Sequence, residues 1–319
     1  MKKGTLLALD VGGTKISGAL VTRRGRILAR VKERVPKGAG RTALFGIMRG
    51  ILKGLIAKAP RGAKPQAIGA GVPGIVDAAR GRILIAPNID LSGFPVGPRL
   101  SRAFALPAAI GNDVNVALLG EQWLGAAKGR RNVIGLFPGT GVGGGIIVNG
   151  SLLTGAHGAG AELGHLVMLP GGPRCGCGNR GCLEAFASRR AIERRIRKAV
   201  NAGEKSAIKK LNKGTLDIIR SKVLKKALKR KDRVATRAVG AAALVFGDAC
   251  VSLRHIFDPE LFVFGGGLIE ACGKFILPIV RKRLDRDPFF KSVGRCPVVP
   301  SALGDDAVIL GAAALAKEL

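Results

Sequence analysis

Two stretches of this chain repeat one local design: an apolar strand, a glycine-rich tip and a second apolar strand. The first runs from Thr5 to Val21 through Val11-Gly12-Gly13-Thr14-Lys15. The second runs from Val133 to Val148 through Pro138-Gly139-Thr140-Gly141-Val142-Gly143-Gly144-Gly145. Gly12 and Gly139 stand 127 positions apart, which is the scale of a whole domain. The pattern predicts two related domains, each offering backbone N–H groups from a hairpin tip. A cleft shared by such tips suits a triphosphate.

The rest of the chain fills in an α/β plan. Arg41 to Lys58 has helical spacing of Leu44, Ile47, Met48, Ile51 and Leu55, and Ala67 to Val72 before Pro73-Gly74 reads as a strand. Ser188 to Val200, Leu216 to Leu228 and Ala235 to Phe257 read as helices, followed by the strand Leu261 to Phe264. With 319 residues and no long linker, the expected division is residues 1–111 plus 305–319, a small α/β domain, and 112–304, a larger one. Hinges are expected near Gly111 and Gly304, with the last helix, Ala307 to Leu319, returning to the first domain.

The glycine motifs exclude two nucleotide-binding classes. Gly139-x-Gly141-x-x-Gly144 matches the dinucleotide fingerprint in form, but that motif must open a helix, and here a second strand follows. No Gly-x4-Gly-Lys-Ser/Thr sequence is present, which removes the P-loop class. Asp10, beside Gly12, Gly13, Thr14 and Lys15, is placed to hold Mg²⁺ through water while the turn amides meet phosphate. Gly139, Thr140, Gly141 and Gly143 form the second phosphate tip. Gly265, Gly266 and Gly267, between a strand and a helix, allow close approach of a nucleoside.

Cys175, Cys177 and Cys182 lie within eight residues of one another, and His165 stands ten positions before Cys175. Three clustered thiols cannot all pair among themselves, and a Cys3His set matches tetrahedral zinc. Cys250, Cys272 and Cys296 are scattered and read as buried free thiols. Three further polar sites stand beside glycines or turns in apolar surroundings: Asn112-Asp113, Glu162 and Glu184. Such acceptors suit polyol recognition, and a carboxylate can take the proton of a hydroxyl that attacks phosphorus.

Charge bears on partners. The net charge is +32, and between Arg189 and Arg237 there are 19 Lys or Arg against four acids. Polyanions such as polyphosphate or nucleic acid are therefore attracted. That stretch has no aromatic residue, which argues against single-strand stacking sites and favours solvated helix faces. No continuous apolar run reaches membrane-spanning length, and Asp10 ends the N-terminal apolar segment too early for a signal peptide. The expectation is a cytoplasmic protein with no membrane partner.

Leu-Asp-Val-Gly-Gly-Thr-Lys (9–15), Gly-Asn-Asp-Val-Asn (111–115), Gly-Thr-Gly-Val-Gly-Gly-Gly (139–145), Glu-Leu-Gly-His (162–165) and Cys-Gly-Cys-Gly-Asn-Arg-Gly-Cys-Leu-Glu (175–184) together resemble the ROK family of sugar kinases. The match runs from residue 6 to about residue 315 in the family's order. The resemblance implies a duplicated, two-domain actin-like ATPase fold of ribonuclease-H-like topology, closing an interdomain cleft on ATP and a hexose, and a homodimer.

Carried over by position, Asp113 resembles the catalytic base. Asn112, Glu162, His165 and Glu184 resemble the ligands of sugar hydroxyls, and His165 would serve zinc as well. The loop from Pro87 to Pro95, which contains Asn88, is where sugar specificity is expected. The implied cofactors are ATP, Mg²⁺ and structural Zn²⁺, and the implied activity is a glucokinase-like one. Kinases of fructose, mannose, N-acetylglucosamine and N-acetylmannosamine share the same residues. The family also contains sugar-responsive repressors with an N-terminal winged helix; a first glycine loop starting near residue 10, together with Asp113, favours the kinase. The chain departs from the family in its basic surface, its lack of Tyr and Pro138 before the second loop.

Overall fold

The computed structural model describes residues 4–319. These residues form two compact units: 4–129 with Leu152–Ala161 and Asp305–Leu319, and Arg130–Ser151 with Glu162–Gly304.

The first unit opens with β1 (Thr5–Val11), β2 (Lys15–Thr22) and β3 (Ile27–Arg34), an antiparallel meander. Helix α1 (Arg41–Ala57) follows, burying Leu44, Met48, Ile51, Leu52 and Leu55 as the spacing predicts. Next come β4 (Pro65–Val72), the small hairpin β5 (Ile75–Asp77) and β6 (Arg82–Ile85), α2 (Val96–Phe104), β7 (Ala108–Asn112) and α3 (Asp113–Leu124). The sheet order is β3-β2-β1-β4-β7, with β4 parallel to both β1 and β7. Leu7, Leu9, Ile16, Leu20, Ile68, Ile110 and the α1 residues share one core.

The second unit has the same strand plan. Strands β8 (Val133–Pro138), β9 (Val142–Val148), β10 (Ser151–Leu152), β11 (Leu261–Phe264) and β12 (Val298–Pro300) are ordered β10-β9-β8-β11-β12, with β8–β9 antiparallel and β8–β11 and β11–β12 parallel. Its helices are α4 (Leu183–Ala187), α5 (Arg189–Asn201), α6 (Ile208–Leu211), α7 (Ser221–Lys229), α8 (Arg233–Phe257) and α9 (Gly267–Leu284). The repeated hairpins are therefore the leading edges of two sheets with one topology, as the glycine pattern predicts. This is the duplicated ribonuclease-H-like, actin-like ATPase architecture.

Helix α8 is long and apolar enough to cross a membrane, although Arg237 and Asp248 interrupt its sequence, and 56% of its apolar window is buried. It packs against α9, α4 and α5, so its apolar character is accounted for by the core of this unit. Helix α7 starts at Ser221, later than the predicted Leu216. The intervening chain is held as a turn by the Asn212 side-chain amide, which donates to the carbonyls of Thr215 and Ile218.

The last helix, α10 (Ala307–Lys317), completes the first unit. Its backbone lies so close to β4 that a Cβ on Gly69 would fall 1.7 Å from the Ala312 carbonyl oxygen, and one on Gly311 would fall 1.7 Å from that of Val116 in α3. Because α3 is locked to α10 this way, residues 112–129 belong to the first unit. The division lies at Gly129 rather than at the expected Gly111, while the expected break at Gly304 coincides with the observed one. Residues 152–161 also join the first unit, where a Cβ on Gly158 would meet the Val76 carbonyl oxygen at 2.1 Å.

Candidate active site and metal centre

In the first unit, the turn between β1 and β2 is closed by Gly12 N–H donating to the Lys15 carbonyl. Gly13, Thr14 and Lys15 are exposed at the tip. Asn88 lies in the loop after β6, and its carbonyl oxygen would sit 3.2 Å from a Cβ on Gly13, so this loop flanks the first glycine tip. Burial pushes the Asp10 carboxyl above the ordinary carboxylate range; Lys15 and Lys32 oppose the shift, and Asp305 adds to it. Asp305 was not among the sequence candidates. It sits in the 3-10 turn before α10, which Arg30 fixes through paired bonds of 2.6 and 2.7 Å to Asp306. Two carboxylates in mutual repulsion beside a glycine tip fit a divalent cation.

Asn112 and Asp113 occupy the start of α3. The Asn112 side-chain oxygen accepts the amides of Val114 and Asn115, and its Nδ2 donates to the Gly74 carbonyl at 3.0 Å. The side-chain oxygen is thus used to cap the helix and one N–H to hold the β4–β5 turn, leaving the second N–H of the amide. Asp113, half-buried, accepts the Val114 amide on Oδ1 at 2.9 Å. A carboxylate in the first turn of a helix faces the positive end of the helix dipole.

In the second unit, the turn proper is Gly139-Thr140-Gly141, with Gly139 N–H donating to the Gly141 carbonyl at 2.9 Å. Strand β9 begins at Val142, so Gly143 is paired opposite Phe137 within the ladder and is not part of the tip. The glycines of β9 have a packing reason: a Cβ on Gly144 would fall 2.5 Å from the Leu163 side chain. Glu184 holds the tip from below. Its Oε2 accepts the Val142 amide at 2.9 Å, and a Cβ on Gly141 would lie 2.2 Å from the same atom. Gly265 and Gly266 press against Phe137 and Pro138 at the tip end of this hairpin, and Gly266 has φ +76° at the start of α9. Beside them opens a cavity of about 820 Å³ lined by Phe264, Gly265, Cys272, Lys225, Lys229 and Ser301 among others. The helical spacing of α7 was legible in the sequence, but the cavity it lines carried no signal beyond the three glycines.

Glu162 is exposed and leads into the 3-10 turn Leu163–His165. The ligand atoms of His165, Cys175, Cys177 and Cys182 all lie within 4.8 Å of one another. Cys177 Sγ and Cys182 Sγ are 3.8 Å apart, and Cys175 Sγ is 3.7 Å from His165 Nδ1. Sulfurs bound at about 2.3 Å in a tetrahedron stand about 3.8 Å apart, the spacing seen for Cys177 and Cys182, so the donor set fits zinc. Burial pushes the Cys182 thiol up to about 12 and raises that of Cys175, whereas the Asn179 amide holds that of Cys177 below the ordinary thiol range. Two such thiols stay protonated unless a cation is bound, which couples metal binding to proton release. Cys175 Sγ also donates to Glu184 Oε1 at 3.7 Å, so Glu184 touches both the metal cluster and the glycine tip.

The model of the ROK family matches residues 6–319. A glucokinase of Thermotoga maritima is 36% identical over 319 residues, covering 100% of this chain and 99% of the relative. A ROK family glucokinase from Streptomyces griseus, solved in complex with glucose and AMPPNP, superposes with a TM-score of 0.84 at 34% identity, covering 99% of this chain and 100% of that one. A xylose repressor of Caldicellulosiruptor bescii is 30% identical over 98% of this chain and 78% of its own length. The chain belongs to the ROK family.

Proposed function

We propose that the chain is an ATP-dependent glucokinase that transfers the γ-phosphoryl group of ATP to the 6-hydroxyl of glucose. The observation that carries this is likeness to glucokinases along the whole chain, together with a carboxylate, Asp113, in the first turn of α3.

Asp113 takes the proton of the attacking hydroxyl. The sugar oxygen bonds to the γ-phosphorus as the bond between that phosphorus and the β,γ-bridging oxygen breaks, and ADP leaves. Asn112, through its remaining N–H, and Asn88, Glu162, His165 and Glu184 hold the other hydroxyls. His165, through the Nδ1 that faces the thiols, would hold zinc with Cys175, Cys177 and Cys182, leaving Nε2 for the sugar. The metal would supply orientation of that imidazole rather than phosphoryl-transfer chemistry. Asp10 and Asp305 would hold Mg²⁺, which supplies charge neutralisation to the phosphates when bound. Gly12, Gly13, Thr14, Lys15, Gly139, Thr140 and Gly141 meet the phosphates, and Gly265 to Gly267 with the neighbouring cavity take the nucleoside.

The test is ADP release with Mg-ATP against a panel of hexoses and N-acetylhexosamines. Glucose is expected to give the highest kcat/KM, and Asp113→Asn should lower kcat by about 10²–10⁴-fold while glucose still binds. Preference for another hexose would reassign the substrate; near-normal turnover by Asp113→Asn would remove it as base. Sugar binding without any turnover would favour a sugar-responsive regulator, the reading that the likeness to a repressor supports.

The ATP requirement favours a cytoplasmic location, and the family resemblance a homodimer. The exposed cations of α5 and α7, among them Arg190, Arg194, Lys222 and Lys226, favour non-specific affinity for polyphosphate or nucleic acid, which should fall steeply with salt.

A further inference from the structure

Arg189, the first residue of α5, makes more contacts with the second glycine tip than its place outside every sequence motif would suggest. Its backbone N–H donates to the Gly139 carbonyl at 3.0 Å. Its Nη2 donates to Thr140 Oγ1 at 3.0 Å, its Nη1 to the Ile219 carbonyl at 3.4 Å, and Nη1 also pairs with Glu193 one turn along the helix. The arginine and glutamate side chains are only 15% and 8% exposed, so the pair is well shielded from solvent. Glu193 in turn accepts the Ile219 amide. The two charged side chains therefore grip both polar groups of the Ile219 residue, just ahead of α7, whose Lys225, Leu228 and Lys229 line the 820 Å³ cavity.

We propose that Arg189 is a positioning residue for the nucleotide: it orients Thr140 toward phosphate and ties the glycine tip to α7, the wall of the nucleoside cavity. The inference rests on the kinase reading above.

The chemistry of the Thr140 contact gives it direction. A guanidinium only donates, so the bond at 3.0 Å occupies a lone pair of the Thr140 oxygen. The hydroxyl proton is left to point elsewhere, and Thr140 is exposed at the tip. Drawing electron density toward a cation also makes that O–H a stronger donor to an anionic oxygen. A lysine at position 189 could keep the charge beside Glu193 but not the planar fork that reaches Thr140 and Ile219 together.

The experiment compares steady-state kinetics and AMPPNP binding for wild type, Thr140→Val, Arg189→Met, Arg189→Lys and the Thr140→Val/Arg189→Met double variant. Each single variant should weaken ATP, as kcat/KM and as AMPPNP affinity, by about tenfold, the scale of one hydrogen bond to a charged group. The KM for glucose should stay within about twofold, and the double variant should be no more than about twofold worse than either single one, since both remove one interaction. Arg189→Lys should keep the wild-type Tm yet retain the ATP defect.

A double variant that multiplies the two losses, a glucose KM that moves in step with that for ATP, or an Arg189→Lys enzyme with normal ATP kinetics would each overturn the proposal. If Arg189→Met fails to fold because Glu193 loses its partner, Arg189→Lys and Thr140→Val decide alone. Wild-type protein that neither binds AMPPNP nor phosphorylates sugar overturns the kinase reading itself, an outcome seen before any variant is made.

Discussion

The two glycine hairpins share strand order and local sequence, but they are held in different ways. The tip at Gly12–Thr14 is held by backbone bonds alone, Gly12 N–H to the Lys15 carbonyl and Val35 N–H to that of Thr14, exposes the Thr14 and Lys15 residues, and has the Asp10 carboxyl beside it. The tip at Gly139–Gly141 is gripped from elsewhere in its unit: by the Arg189 backbone N–H on the Gly139 carbonyl, the Arg189 guanidinium on the Thr140 hydroxyl, and the Glu184 carboxylate on the Val142 amide. Glu184 is itself in contact with the metal cluster through Cys175. One motif has thus been specialised as a charged, open tip suited to a cation, and the other as a braced tip suited to fixed phosphate geometry. Duplication preserves the backbone plan, while the side chains that approach each tip set its chemistry.

The difference can be broken most severely at Gly141. An alanine there would put its Cβ against Glu184 Oε2, so Gly141→Ala should cost about 10²-fold in kcat/KM for ATP through displacement of the tip. The matching Gly13→Ala meets only the Asn88 carbonyl oxygen, at 3.2 Å, and should cost about threefold or less. Equal losses in the two hairpins would mean that the bracing does not matter. Metal removal is the next strongest probe. Chelation should raise amide exchange about tenfold or more across residues 163–184 and in the braced tip at 139–142, where Glu184 holds the Val142 amide, with residues 5–22 unchanged. Uniform loss of protection in both hairpins would contradict the link through Glu184.

The smallest effect sharpens the contrast from the other side. Because burial raises the Asp10 carboxyl above its ordinary value of 3.8, that group favours the folded state only below the unfolded value and loses this contribution as pH rises through the folded value. Asp10→Asn should therefore raise Tm at pH 7 without Mg²⁺ by about 1–3 °C, with the gain vanishing below about pH 4, while activity falls. A lower Tm at pH 7 would mean that the Asp10 carboxylate is stabilised by Lys15 and Lys32 more than it is penalised by burial.

Legibility in the sequence followed the range of the interactions involved. The hairpins, α1 and the Cys3His cluster depend on neighbours within a few residues or on fixed periodicity, and each could be read directly. The three-residue tip in the second hairpin was overestimated, because glycines at 143–145 look like turn residues when they are strand residues, Gly144 among them leaving room for Leu163. Asp305 and Arg189 were missed. Asp305 meets Asp10 across nearly the full length of the chain, and Arg189 meets Thr140 across 49 positions. Arg189 also sits in a run of cations in which Arg190 faces solvent while Arg195 and Arg197 turn to other backbone carbonyls. Composition alone cannot separate the arginine that meets the glycine tip from its neighbours.

The close seating of α10 against Gly69 and α3 has a consequence for biogenesis. Residues 305–319 complete the first unit yet are made after every residue of the second. On the ribosome the second unit can close while the first still lacks its last helix, reversing the usual order in which the N-terminal part folds first. Until synthesis ends, the β4 and α3 surfaces that receive α10 stay uncovered, and these are the surfaces a nascent-chain chaperone would be expected to occupy.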